Sequence, residues 1–189
     1  MIAAMEDVLV RTPADFDCLP EEGLWEVVAG RAMLVPASTY QHQKLTTALL
    51  IAFDRGLKAI RCGRVVPTVN VFIPVDPGAF NQVQNRIPDL VVSKHEPHEN
   101  FEAGRPPDLV IEILSTRRGN VERTEKLDDY ARAGIGEYWI VNPFDRAVEV
   151  YLLRNGDYVL AQTASHGTLA PQAFPSVEIN LAEIWAVLD

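Results

Sequence analysis

Positive charge, cysteine and long apolar runs are all scarce in this chain of 189 residues, and each scarcity removes a class of protein. Seventeen Lys and Arg stand against 26 Asp and Glu, for a formal charge of -9, which argues against a protein that coats nucleic acid with a broad positive surface. The two cysteines, Cys18 and Cys62, lie far apart and lack metal-type spacing. Neither a disulfide nor a zinc site is therefore expected, and the expected compartment is a reducing cytoplasm. No segment approaches the roughly 20 apolar residues of a membrane span, so no membrane partner is expected. The stretch from Met1 to Val10 has no basic region and no long apolar core, and no signal peptide is expected there.

What is present suits one globular domain over 1–189. Hydrophobic residues make up 48% and mean hydropathy is 0.00, with 1–23 a polar lead-in and 24–185 the folded body. The charge is uneven. Residues 1–30 carry seven acids against Arg11, a net of -6, whereas residues 31–70 carry six bases against Asp54, a net of +5. That basic segment is either a local positive surface or simply a solvated helix face.

The pattern predicts a mixed α/β fold. Trp25–Val28 and Ala32–Val35 read as a hairpin turning at Gly30. A helix is expected from about Gln41 to Ile60, capped by Ser38 or Thr39, with Leu45, Ala48, Leu49, Ala52 and Phe53 as its apolar stripe. Arg64–Ile73, Arg86–Ser93 and Leu109–Leu114 read as three strands, followed by a helix from Val121 to Ala133 that Asn120 can cap and Gly134 stops. Glu137–Val141 is the next strand, Ala147–Leu153 and Tyr158–Ala161 form a hairpin across Asn155-Gly156, and a short helix ends the chain near Leu181–Val187.

One residue breaks the pattern. Glu112 sits inside Leu109-Val110-Ile111-Glu112-Ile113-Leu114, a run otherwise suited to a strand buried on both faces. A carboxylate there is costly unless it is paired, protonated or bound to metal. Asp108 is on the same strand, about 13 Å away at roughly 3.3 Å per residue, too far to share an ion whose ligand oxygens lie near 2.1 Å. Asp89, in Pro88-Asp89-Leu90, opens a separate strand that can lie about 4.8 Å alongside. Lys126 on the following helix can supply a cation that orients water and stabilises charge building at phosphorus. Plainer roles stay open at this point: a turn cap for Asp89, a helix pair with Glu122 for Lys126, and an ion pair with Arg105 or Arg117 for Glu112.

These motifs, with Trp25-Glu26-Val27-Val28-x-Gly30-Arg31, His42-Gln43 and the run from Glu125-Lys126-Leu127 to Asn142-Pro143, resemble the Uma2 family of the PD-(D/E)xK nuclease superfamily. The resemblance spans about residues 20–185. It implies a restriction-endonuclease-like αβββαβ core, a mixed central sheet flanked by helices with added N- and C-terminal β-hairpins. It implies Asp89 and Glu112 as metal ligands, the backbone carbonyl of Ile113 as a third, and Mg²⁺ or Mn²⁺ as cofactor. Leu114 stands where the superfamily's usual lysine falls, and Lys126 is the matching residue on the next helix. Glu26 and His42 match positions near the cleft. Thr116 stands where many members have proline.

The leading reading is a Mg²⁺-dependent endonuclease acting on DNA, with Lys44, Arg55 and Lys58 contacting phosphates. The alternatives are an inactive nuclease-fold binding or regulatory module, homodimeric, which the charge of -9 and the displaced lysine favour, and a metal hydrolase acting on a small phosphorylated substrate.

Overall fold

The structure, a computed structural model, describes residues 8–116 and 120–189, and of residues 120–122 the backbone only. The first half holds β1 (Val8–Leu9), α1 (Pro13–Asp17), β2 (Trp25–Val28), β3 (Arg31–Leu34), α2 (Tyr40–Ile60), β4 (Arg64–Pro67), β5 (Val71–Phe72), β6 (Asn85–Arg86) and β7 (Leu90–Ser93). The second half holds β8 (Leu109–Ile113), α3 (Asn120–Ala133), β9 (Glu137–Asn142), β10 (Ala147–Arg154), β11 (Asp157–Ala164), β12 (Thr168–Leu169), β13 (Ile179–Asn180) and α4 (Leu181–Trp185).

The central sheet has the order β11-β10-β9-β8-β7-β4 and is mixed: β8 and β9 run parallel, the other neighbours antiparallel. Its two faces are legible in β8. Leu109, Ile111 and Ile113 join Leu45, Leu49, Phe53 and Leu57 of α2 in one core, which the C-terminal Phe174, Ile184 and Trp185 complete. Val110 turns the other way and joins Tyr130 and Ala133 of α3, with Tyr138 and Ile140 of β9. Because side chains alternate along a strand, Glu112 belongs to the α3 face.

The turn chemistry places the hairpins. Ala29 and Gly30 both take positive φ (49° and 77°), as do Asn155 and Gly156 (53° and 94°), the backbone of two-residue turns whose twist matches the strands they join. Thr39 caps α2 by accepting from the His42 amide, and Gly134 follows α3 at φ 79°.

Two expected strands are each divided between two sheets. Arg64–Ile73 is β4 in the central sheet and β5 in a separate N-terminal sheet ordered β1-β3-β2-β6-β5, with Thr68 at φ 54° between them. Arg86–Ser93 divides likewise into β6 and β7 at Pro88, which has no N–H for a ladder. With these breaks, the expected αβββαβ core is α2-β4-β7-β8-α3-β9. Cys18 and Cys62 are free and exposed. Among the described residues no helix is long and apolar enough to cross a membrane.

Candidate active site

The register of β7 against β8 builds the site. Leu90 lies opposite Ile111, and that register, continued by one residue, would set Asp89 opposite Glu112. Opposed residues share a face. Asp89 has turned out of the ladder, and its Oδ2 accepts the Ile113 amide at 2.7 Å. The same oxygen meets His42 Nε2 at 3.1 Å, from the first turn of α2. That hydrogen bond raises the His42 pKa above its ordinary value against the opposing effect of burial, and the Asp89 and Glu112 charges with the Ile113 backbone add to the rise.

Glu112 is served from α3. Lys126 Nζ lies 3.0 Å from Glu112 Oε1, and the Tyr130 hydroxyl donates to that oxygen at 2.6 Å. Lys126 and Tyr130 are four apart, hence on one face of the helix. Burial pushes the Glu112 carboxyl up to about 7; the Lys126 ammonium pulls against it, and the Asp89 and Glu26 charges reinforce it. The anomaly in the sequence is therefore an ionisable group balanced near neutrality.

A cleft of about 330 Å³ opens over these groups, lined by Asp89, Glu112, Ile113, Lys126, His42 and Glu26, with Met33 to Thr39 along another side. Glu26 lines it with both carboxylate oxygens engaged. Oε1 accepts the Ile87 amide at 2.9 Å, and Oε2 accepts Arg86 Nη1 at 3.1 Å. Arg86 in turn donates to Asp129 at 2.7 Å. The buried guanidinium thus ties β2 to the helix that carries Lys126.

Other expected residues fall elsewhere. Asp108 accepts the Lys94 amide at 2.7 Å, the loop-capping role open to it. Arg105 is exposed, and Glu112 pairs with Lys126 instead. Arg117 and the side chain of Glu122 lie outside the described residues. Lys44 is on the first turns of α2, but Arg55 and Lys58 are about 20 Å or more from His42 along the helix at about 1.5 Å per residue. Arg55 approaches Glu183 at 4.0 Å and Lys58 pairs with Asp54 at 2.7 Å. The structure does not bring these two to the cleft.

Three participants escape a reading by pattern. Tyr130 counts there as a core residue, although its four-residue spacing from Lys126 signals a shared face. Arg86 reads as a strand opener. Arg123, which lines a small pocket with Lys126 and Ser115, is held by Glu149 and Tyr151.

The donors on offer are two carboxylates and a backbone carbonyl, and no three His, Cys, Asp or Glu side chains form a metal-holding group among the described residues. Hard oxygens of this kind fit Mg²⁺ or Mn²⁺, which keep waters and substrate oxygens in an incomplete protein shell. The hydrogen bonds above use Asp89 Oδ2 and Glu112 Oε1, which among the described contacts leaves Oδ1 and Oε2 to serve as ligands.

A family model named Uma2 and described as "Putative restriction endonuclease" matches residues 13–182. Among solved structures, one from Anabaena variabilis, described as "a putative nuclease belonging to DUF820", aligns with a TM-score of 0.72 at 18% identity. The alignment covers 93% of this chain and 98% of that one. At that identity the likeness shows the fold, which is restriction-endonuclease-like. No curated protein matches the chain.

Proposed function

The chain belongs to the Uma2 family, and on that premise we propose that it is a divalent-metal-dependent endonuclease hydrolysing DNA phosphodiester bonds. The observation that carries this reading is the convergence of three elements on one point. Asp89, just before β7, accepts the Ile113 amide next to Glu112 of β8, and Lys126 of α3 reaches Glu112 at 3.0 Å. Asp89, Glu112 and the Ile113 carbonyl would hold Mg²⁺ or Mn²⁺, which when bound supplies Lewis acidity and a more acidic water.

The chain's own groups do the rest. Lys126 holds the attacking water beside Glu112 and offsets negative charge growing on the phosphate oxygens. Tyr130 fixes Glu112 through Oε1. His42 and the Ile113 amide fix Asp89 through Oδ2, so neither carboxylate rotates away from the cleft. The two exposed free thiols suit a reducing cytoplasm.

Cleavage of plasmid and single-stranded DNA in Mg²⁺ or Mn²⁺ tests the proposal. Glu112→Gln and Lys126→Ala are each expected to lower the rate about a hundredfold or more. Undiminished cleavage by Glu112→Gln contradicts the assignment. A second reading, a homodimeric binding module with a relict site, draws on Glu112 Oε1 being engaged by both Lys126 and Tyr130. It predicts DNA binding with no Glu112-dependent cleavage, and a dimer by light scattering.

A further inference from the structure

The cleft combines the acidic groups of the site with a long apolar margin. Met33 and Leu34 end β3 and, with Val35 and Pro36, line the same cavity as Asp89 and Glu112. Both side chains are exposed, and among the described residues β1 pairs with β3 at Arg31 and Ala32. Thr39 closes the cleft, and Tyr40, next in sequence, opens a second groove of about 360 Å³ with Lys44 and Ile51. Tyr40 is 80% exposed. The Lys44 ammonium stands 5.8 Å from its ring centroid, a cation beside an open aromatic face.

Single exposed apolar side chains need no explanation, but several lining one cleft with reactive carboxylates mark a contact surface. An intact duplex is gripped by cations along its phosphates. Among the described residues such cations are few: the chain carries -9, Arg55 and Lys58 are distant and paired, and Arg123 is held by Glu149 and Tyr151. Apolar and aromatic faces beside one lysine match what unpaired bases offer, since every base has a face to stack and one phosphate to each sugar.

We propose that the substrate is an unpaired DNA strand. One base lies against Met33 and Leu34, the neighbouring base stacks on Tyr40, and Lys44 meets the phosphate between them. This rests on the nuclease reading and deepens it by naming the strand form.

Fluorescence anisotropy in EDTA reads binding apart from cleavage, with a labelled single-stranded oligonucleotide, its duplex and an abasic strand of equal length as probes. The single strand is expected to bind about tenfold or more tighter than the duplex or the abasic strand. Tyr40→Ala is expected to lose about tenfold on the single strand and Tyr40→Trp to keep the affinity. At an exposed position neither change threatens the fold. Equal or tighter duplex binding, or single-strand binding untouched by Tyr40→Ala, overturns the proposal. A parallel Mg²⁺ arm separates the two levels. Glu112-dependent cutting of duplex but not single strand overturns this inference alone, whereas no Glu112-dependent cutting of either form overturns the nuclease reading with it.

Discussion

Glu112 carries a carboxyl moved from 4.5 to about 7 by burial, a displacement worth about 3 kcal/mol. The sign follows from proton counting. Between these two values the folded protein holds a proton that the unfolded chain has lost, so this contribution to stability is complete below 4.5 and is lost as pH rises through about 7. His42 acts in the same direction, its contribution being full below 6.5 and lost as pH rises through its raised folded value. Urea unfolding in EDTA checks the larger effect. The stability difference between Glu112→Gln and the parent is expected to shift by about 3 kcal/mol in the variant's favour from about pH 4.5 to about pH 8. A difference that does not change with pH shows that Glu112 ionises normally. The presence of this costly residue was legible in the sequence, because a lone acid in a β-branched run has few inexpensive explanations. Its hydrogen-bond donor Tyr130 was not, because a tyrosine serves a core with its ring and a carboxylate with its hydroxyl, and periodicity records only the ring.

At the scale of elements, α3 reaches the sheet through apolar contacts and is tied to β2 and β6 by Arg86. This guanidinium, 1% exposed, lies between Glu26 and Asp129. Arg86→Met takes the buried cation from between two buried carboxylates, leaving Asp129 only the exposed Arg132 at 3.7 Å, and is expected to cost about 3–5 kcal/mol in urea unfolding. Adding Glu26→Gln and Asp129→Asn to that variant removes the stranded charges and is expected to recover much of the loss. A triple variant no more stable than the single one argues that packing, not charge, holds α3. The helices and tight hairpins were legible because their signals are local: an apolar stripe from Leu45 to Phe53, a cap at Ser38 or Thr39, an Asn155-Gly156 turn. The division of Arg64–Ile73 and Arg86–Ser93 between two sheets was not. Strand propensity says that a segment is extended and leaves open which sheet receives it, a choice made here at Thr68 and Pro88.

At the scale of the whole molecule, two exposed cations of α2, Arg55 and Lys58, stand away from the carboxylates of the cleft. The positive segment at 31–70 could be read from the sequence as a local positive surface or as a solvated helix face, and α2 carries Arg55 and Lys58 to the end remote from His42, each beside an acid. Surface pairs of this kind contribute little. Arg55→Ala and Lys58→Ala are therefore expected to change DNA cleavage less than about twofold, and a large loss in either places DNA along the full length of α2. Charge counted along the chain could not show this, because a 21-residue helix separates its ends by about 30 Å.

The central claim is that the buried Glu112 and the neighbouring Asp89 are kept together to hold a divalent ion. Calorimetric titration of the metal-free protein with Mn²⁺ at about pH 8, where Glu112 is ionised, tests it directly. Saturable binding by the parent, weakened about tenfold or more in Glu112→Gln and in Asp89→Asn, is the result predicted. Absence of binding in the parent, or binding undiminished in both variants, contradicts it.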